Sequence, residues 1–154
     1  MLAAAAALAM ALPAVATAEL PRDATPVPDL ESRLVAKINA LRSRHGLRGL
    51  ERSPMLVRAA RTHGRSMLAG GYFAHGDLQR RLSSLSRAGE NLAWSTSVPT
   101  ADRILRLWLA SPPHRRNLLS SAWRRTGIGA VRGWGGGVYG NRRVTVIVAD
   151  FGAP

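Results

Sequence analysis

The sequence predicts a single α+β domain, in which helices come first and an antiparallel pair of strands closes the chain. Apolar residues recur at helical spacing up to residue 109, whereas from Thr126 onward they follow strand patterns. The strands are joined too closely for parallel crossovers, which favours α+β over α/β. A length of 154 residues suits one domain, and a hydrophobic content of 46% is enough for a packed core.

The N-terminal segment has the pattern of a signal peptide. Residues 1–18 carry no charge and end in Ala16-Thr17-Ala18, so we expect export and cleavage after Ala18. The apolar run is shorter than the roughly 20 residues of a bilayer span, so no stable transmembrane anchor is expected after cleavage. No Lys or Arg lies near Met1, and an uncleaved tethering helix is the alternative. Residues 19–29 are Pro-rich and predict an extended linker, which leaves 30–154 as the domain.

Cysteine is absent, so no disulfide holds the fold together. In an exported protein this favours a bacterial source, because secreted eukaryotic domains of this size are usually cystine-bonded. Packing, with or without a bound metal, must then stabilise the domain.

Two helices are predicted in the first half of the domain. The first has Asp29 as its N-cap and Glu31 in its first turn, and it ends at Gly46. The second begins at Ser53-Pro54 and ends at Gly70-Gly71. Their apolar faces consist of Leu30, Leu34, Ile38 and Leu41 in the first helix, and of Leu56, Ala60, His63 and Met67 in the second. The histidine on this second face is interpreted as a packed or hydrogen-bonded core group rather than a ligand.

Shorter elements are predicted in the middle of the chain. Asp77 caps a short helix through Leu85, and the GENLAW sequence at 89–94 continues as irregular or extended chain. Thr100 caps a third main helix that is apolar almost all round and is therefore expected to be buried. The sequence Ser111-Pro112-Pro113 ends this helix and starts a short turn.

Two strands are predicted after Thr126, with a long Gly-rich loop between them. They contain GIGAV at 127–131 and VTVIVADFG at 144–152. The second strand is apolar or nearly so on both sides, so both of its faces are expected to be covered. The loop lacks the GK[ST] ending of a phosphate-binding loop.

The net charge is +13, from 22 Lys and Arg against 9 Asp and Glu. One interpretation is attraction to polyanions; the favoured one is an Arg-rich solvated surface encoded by a GC-rich genome. The chain has no run of five or six like charges and no RNA-recognition signature, so nucleic-acid binding is not favoured.

Three reactive side chains stand at the ends of predicted elements: His75, Glu90 and His114. Two imidazoles and a carboxylate can form a three-ligand metal site with an open position, or an acid–base pair with an orienting carboxylate. Their spacing matches no local metal motif, and each also has a purely structural interpretation. The chain has no Cys and no G-x-S-x-G elbow, so nothing indicates a catalytic nucleophile.

Several blocks, in order, carry a resemblance to a known family. They are LVAKINALRSRHGLRGL at 34–50, YFAH at 72–75, GENLA at 89–93, WLASPPHRRNLL at 108–119, GIG at 127–129 and ADFG at 149–152. From them the chain is identified as a member of the CAP superfamily, which includes cysteine-rich secretory, antigen 5 and pathogenesis-related proteins. It most resembles the cysteine-free bacterial SCP-domain branch.

The resemblance implies an α-β-α sandwich with a small antiparallel sheet and a central cleft. In the family this cleft carries two His and two acidic residues, and in some members a divalent metal such as zinc. By position, His75 and His114 take the His roles and Glu90 one acidic role, while Ser111 stands where the second acid is expected. Because Ser111 supplies no charge, zinc affinity is expected to be low. The resemblance also implies structural support from Asn91, Trp108, Ser111 and Asn117.

Three functions follow as hypotheses. The favoured one is a secreted, non-catalytic binding module with a lipid or cell-envelope ligand and a cleft capable of holding a divalent metal. The second is a metal-assisted hydrolase with Glu90 as general base on a metal-bound water. The third is a polyanion-binding protein that uses its arginines.

Overall fold

The structure is a computed structural model that describes residues 23–153, and it confirms the α+β class. The predicted signal peptide, residues 1–18, lies outside the described residues. None of the helices in the described part of the chain is long and apolar enough to cross a membrane. The helices are α1 Pro28–Arg44, α2 Pro54–Gly70, α3 Leu78–Arg81, α4 Ala101–Ala110 and α5 Pro112–Leu119. The strands are β1 Thr25–Pro26, β2 Glu51–Arg52, β3 Arg87–Ser95, β4 Arg125–Gly135 and β5 Arg142–Ala153, with a 3-10 turn at Gly137–Tyr139.

The sheet is built around β5, which lies between β4 and β3 and runs antiparallel to both. Short strands β1 and β2 pair with the other edge of β4, the first antiparallel and the second parallel. The predicted antiparallel pair is therefore confirmed as β4 and β5. The GENLAW segment belongs to a regular strand, β3, at one edge of the sheet.

Helices cover both faces of the sheet, which gives an α-β-α sandwich. On one face, Ile147 and Phe151 of β5 pack in a cluster with α1, α4 and α5. On the other face, Val146 and Val148 pack against α2. Since alternate side chains of a strand point to opposite faces, β5 is buried on both sides, as predicted.

Two glycines of β4 allow α2 to lie directly on the sheet. A Cβ at Gly127 would lie 2.2 Å from the carbonyl carbon of Leu56, and one at Gly129 would lie 2.4 Å from the amide nitrogen of Arg61. Both clashes involve helix backbone, which can be relieved only by moving the whole helix. The GIG sequence therefore sets the distance between α2 and β4.

An ion pair between partly buried Arg61 and buried Glu31 ties α1 to α2 at the edge of β4. Arg61 donates to both carboxylate oxygens of Glu31, over 2.8 and 2.5 Å, and the backbone NH of Ala130 donates to one of them over 3.0 Å. Glu31 thereby satisfies a strand donor in the gap between β1 and β2. The sequence predicted for Glu31 only a favourable interaction with the helix dipole.

The domain starts before the predicted boundary at residue 30. Ala24 is buried and Thr25–Pro26 pair with β4, so the described part of the predicted linker, residues 23–29, packs on the domain. The prediction that Asp29 caps α1 is wrong, because Val27 is the N-cap and Pro28 fills the first helical position, where its missing NH costs no hydrogen bond.

Two later helices also differ from the prediction. Asp77 accepts a hydrogen bond from the backbone NH of Arg80 as a cap should, but α3 ends at Arg81 instead of continuing to Leu85. Helix α4 follows its predicted cap, Thr100, but the expectation that it is buried all round is wrong. Leu107 is 52% exposed, because the core formed with α1, α5 and the sheet covers only one side of this helix.

Substitution Gly129→Ala should lower the free energy of unfolding by about 2–3 kcal/mol, because the new methyl group meets the backbone of α2. Urea unfolding monitored by tryptophan fluorescence measures the change. Gly136→Ala is the matched control: φ is −82° and the nearest atom to a new Cβ is the side-chain oxygen of Asn141 at 3.4 Å. Equal unfolding free energies for the two variants would contradict the proposed role of Gly129.

Candidate functional site

Glu90 lies in the middle of β3, and its carboxyl group is buried. Its Oε1 lies 2.8 Å from Nδ1 of His75, which follows α2 in an exposed loop. The His75 side chain is 58% exposed. The structure thus brings these two predicted site residues together, with the carboxyl behind the ring. Glu90 orients His75, and Nε2 is the ring nitrogen left for other partners.

Arg81, at the end of α3, joins Glu90 to a second buried carboxyl group, that of Asp150 in β5. Its guanidinium donates to Glu90 and also makes two hydrogen bonds with Asp150, Nη1 to Oδ2 at 2.6 Å and Nη2 to Oδ1 at 3.1 Å. Glu90 and Asp150 are direct neighbours in the strand register and share one face. Arg81 therefore supplies the cation that allows two carboxyl groups to be buried side by side.

Sequence reasoning missed both Arg81 and Asp150. It placed the second acidic position at Ser111, whereas the acid beside Glu90 is Asp150. One signal was available: Asp150 is the single charged residue of a strand segment expected to be covered on both faces, and a buried charge needs a partner. No local pattern distinguishes Arg81 from the other arginines.

His63 of α2 lies at the same place. Its Nε2 is 3.0 Å from the carbonyl oxygen of Ala74 and 3.7 Å from Oε2 of Glu90. A carbonyl oxygen only accepts, so Nε2 carries the proton and holds the loop that bears His75. These contacts agree with the interpretation of His63 as a buried, hydrogen-bonded group, and they place it beside the candidate site.

The electrostatics of the site follow from burial. Burial raises the pKa of Glu90 to about 8, although Arg81 acts in the opposite direction. Burial also raises the pKa of Asp150, again opposed by Arg81. Two carboxylates beside one guanidinium would leave an excess negative charge, so the pair favours keeping a proton. Burial and the charge of Arg81 lower the pKa of His63 to about 4, so its ring is neutral at pH 7.

His114 lies in the first turn of α5, and its Nδ1 is buried without a hydrogen-bond partner in the described chain. Burial, and next the charge of His75, lower the pKa of His114. Its Nδ1 is therefore a ring nitrogen that has no hydrogen-bond partner among residues 23–153. The grouping of His114 with His75 and Glu90 in one site stays a prediction.

Side chains from α4 and α5 hold the edge strand that carries Glu90. Trp108 Nε1 donates to the carbonyl oxygen of Leu92 over 3.0 Å, and Asn117 Nδ2 donates to that of Glu90 over 3.0 Å. Asn91 Nδ2 donates in turn to the carbonyl oxygen of His114 over 3.0 Å. The bonds from Trp108 and Asn117 occupy carbonyl groups of the edge strand, and the bond from Asn91 ties this strand to the turn of α5 that carries His114. These contacts are of the structural kind predicted for the three residues.

Ser111 stands between α4 and α5 and is the N-cap residue of α5, although its side chain makes no capping hydrogen bond. Its carbonyl oxygen accepts the first helical bond, from the backbone NH of Arg115 at 2.8 Å. The C-terminal end of α5 is held by buried Arg42 of α1, which donates to the carbonyl oxygens of Leu118 and Ser120 over 2.9 and 3.0 Å. A cation on the last carbonyls of a helix is favourable, and here it fixes the helix that carries His114.

The described residues do not form a ready-made metal site. No group of three His, Asp or Glu side chains within residues 23–153 is arranged to hold a metal ion. Of the three predicted ligands, Glu90 already binds His75 and Arg81, which leaves one ring nitrogen each from His75 and His114. Zinc sites in proteins use three or four protein ligands, so these donors do not fit a tight zinc centre.

A separate groove of about 710 Å³ lies between α1 and the start of α4. It is lined by Val27, Leu30, Ala36, Ala40 and Val98, among others. None of its lining residues belongs to the His75–Glu90 site. The candidate site is therefore a surface-exposed imidazole on a buried ion cluster, rather than the base of this groove.

The fold and the site together describe an α-β-α sandwich protein with a His–Glu pair at the edge of its sheet. Comparison with known proteins identifies the family to which this chain belongs. Residues 35–151 match the model of CAP, the cysteine-rich secretory protein family. The chain belongs to this family, and it contains no cysteine.

Bacterial relatives support the assignment. The uncharacterized protein YkwD from Bacillus subtilis (strain 168) is 30% identical over 131 residues, which is 77% of this chain and 50% of that protein. An extracellular SCP-domain protein from Bacillus anthracis str. Ames superposes with a TM-score of 0.66 at 26% identity, over 82% of this chain and 41% of that one. An outer surface protein from Borrelia burgdorferi has a TM-score of 0.64 at 21% identity, over 84% of this chain and 97% of that one, and shares the fold. The chain spans about half the length of the curated relative.

Substitution Arg81→Met should lower the free energy of unfolding at pH 7 by about 3–5 kcal/mol, because it leaves two buried carboxyl groups without their cation. Adding Asp150→Asn to this variant should restore part of the loss, because only one carboxyl group then remains. Arg80→Met, which removes an exposed neighbouring arginine, is the control. Urea unfolding gives the free energy of unfolding of all four proteins. A decrease in Arg81→Met no larger than in the control would contradict the role of Arg81 as the cation between Glu90 and Asp150.

The pKa of His63 predicts a pH dependence of stability. Because this pKa is about 4 in the fold against an ordinary value of 6.5, the unfolded chain binds more protons between these values. Stability contributed by neutral His63 is thus present above pH 6.5 and is lost as the pH falls towards 4. Between pH 7 and pH 5 we expect a loss on the order of 2 kcal/mol from this group.

The variant His63→Gln keeps an amide donor for the carbonyl oxygen of Ala74 but does not titrate. Unfolding free energies at pH 7 and pH 5 should therefore differ less in this variant than in the wild type. His45→Gln, a substitution of an exposed histidine, should keep the wild-type difference. Identical pH dependence in all three proteins would show that His63 is not held neutral.

Proposed function

We propose that this CAP-family chain is an extracytoplasmic, non-catalytic binding module whose ligand meets the His75 ring, with a lipid or another cell-envelope component as its ligand class. The observation that carries the proposal is that both carboxyl oxygens of Glu90 already have hydrogen-bond partners. Its carboxyl group is buried and bound to His75 and Arg81, so it is not free to act on a substrate. A ring half open to solvent and held by a buried carboxyl group is suited to contact a ligand.

Two observations support the proposed extracytoplasmic location of this chain. The uncharged segment that ends at Ala18 has the pattern of a cleaved signal peptide. The similar chain from Bacillus anthracis is described as an extracellular protein, and the one from Borrelia burgdorferi as an outer surface protein. Export of this chain is therefore part of the proposal.

A raised pKa is also found in catalytic acids, and it favours the hydrolase hypothesis at first sight. Geometry argues against it, because a general base must reach the proton it removes, and Glu90 has no oxygen free of a hydrogen-bond partner. A screen with ester, peptide and phosphodiester substrates should give equal, background rates for the wild type, Glu90→Gln and His75→Ala. A rate at least tenfold lower in either variant would establish catalysis and overturn the proposal.

Zinc binding by His75, Glu90 and His114 stays a prediction, and it requires Glu90 to exchange a present partner for the metal. Because only two imidazoles can bind zinc before Glu90 changes partner, we expect zinc to cause only a small increase in the midpoint temperature of thermal unfolding. The increase should disappear in His75→Ala and in His114→Ala, and remain in His45→Ala as a control. A thermal-shift titration measures it, and no shift in the wild type would remove metal from the proposal.

A further inference from the structure

The end of the β4–β5 hairpin carries two unusually exposed apolar side chains. Trp134, near the end of β4, is 60% exposed, and Val138, in the 3-10 turn that follows, is 58% exposed. Burying such side chains against a partner removes apolar surface from water, and an exposed Trp in particular is a frequent anchor of interfaces. The hairpin end is thus a candidate contact surface.

Two arginines of β5 lie at this end of the hairpin. Trp134 is the register partner of Arg143, so these two side chains lie on the same face of the sheet, whereas the neighbouring Arg142 points to the opposite face. Both arginines are exposed. One acidic residue contacts this end of the hairpin among the described residues: the backbone NH of Trp134 donates to the carboxylate of Asp23 over 3.4 Å.

The rest of the C-terminal part of the sequence is also rich in positive charge. Between Asp102 and Asp150 the sequence contains no acidic residue, and it contains these arginines: Arg103, Arg106, Arg115, Arg116, Arg124, Arg125, Arg132, Arg142 and Arg143. Three of the acids, Glu31, Glu90 and Asp150, are buried and paired inside the protein. The surface therefore offers little negative charge to offset the arginines of the hairpin.

We propose that the hairpin end formed by Trp134, Val138, Arg142 and Arg143, here called the hairpin tip, docks on the surface of a bilayer that contains anionic phospholipids. Arginines are attracted to a negatively charged lipid surface, while Trp is favoured at the boundary between headgroups and acyl chains. A soluble polyanion would use the arginines but would leave Trp134 and Val138 exposed, so charge and apolar surface together favour the lipid surface.

The Trp134 side chain and the Glu90 carboxyl group lie on opposite faces of the sheet. Trp134 shares the α1 face of the sheet with Ile128 and Ala130, whereas Glu90 shares the α2 face with Leu92. The turn that carries Val138 contacts the start of the His75 loop, because the backbone NH of Val138 donates to the carbonyl oxygen of Gly71 over 3.0 Å. The proposal stands whether or not the His75 site binds a ligand, and variants of the hairpin tip test it alone.

Co-sedimentation with large vesicles tests the docking. The full chain should bind vesicles of equal parts phosphatidylglycerol and phosphatidylcholine, and not vesicles of pure phosphatidylcholine. Trp134→Ala should weaken this binding about tenfold, and Arg142→Gln/Arg143→Gln should weaken it about tenfold or more, because each basic residue near the surface contributes to the attraction. The blue shift of tryptophan fluorescence on adding vesicles should be lost in Trp134→Ala alone among the single variants.

Matched controls separate the hairpin tip from the overall charge. Arg115→Gln/Arg116→Gln removes the same charge from exposed α5, and Leu107→Ala removes an exposed apolar side chain from α4, so both should bind within about threefold of the wild type. Equal losses in the two double variants would overturn the proposal. Unchanged vesicle binding by Trp134→Ala would also overturn it. So would a competition experiment in which long-chain polyphosphate displaces the wild type and Trp134→Ala from vesicles at equal concentrations. The thermal midpoints of the variants should match the wild type, since the changed side chains are exposed.

Discussion

The bridge that Arg81 makes between Glu90 and Asp150 is the constraint on which the candidate site depends. β3 and β5 place two carboxyl groups side by side on the α2 face, in a region that is closed to water. Such a pair can be buried only with a cation between its members or with a retained proton. Arg81 supplies the cation, which couples the short helix α3 to the sheet and fixes the side of Glu90 from which His75 can approach.

The sandwich around this cluster is positioned by close contacts rather than by large side chains. Glycines in β4 bring α2 onto the sheet, and α2 in turn supplies His63, whose ring holds the loop before His75. On the other face, α4 and α5 reach the edge of β3 with Trp108 and Asn117. The α4–α5 side thus fixes the backbone of β3, while α2 fixes the loop that bears His75, the hydrogen-bond partner of the Glu90 side chain.

Much of this fold could be predicted because its signals are local. Ser53 and Gly71 bound α2 as their sequence positions indicate, and the apolar residues on both sides of β5 predict its double burial. The family motifs also indicate His75, Glu90 and His114, two of which are joined by a hydrogen bond. Arg81 could not be predicted, because its role arises from a contact across 69 residues and no pattern separates it from the other arginines. The strand β1 was missed because two residues cannot show a period.

The distribution of charge links the interior of the molecule to its surface. The carboxyl groups of Glu31, Glu90 and Asp150 are buried and paired with Arg61 and Arg81, and the cost of removing such charges from water offsets much of their mutual attraction. Enclosing these acids also withdraws negative charge from a chain of net charge +13. The outer surface consequently has a higher ratio of basic to acidic side chains than the composition alone indicates. An Arg-rich exterior is thus partly a result of how this fold assembles its buried cluster, and it gives the exposed Trp134 a basic setting in which to meet an anionic partner.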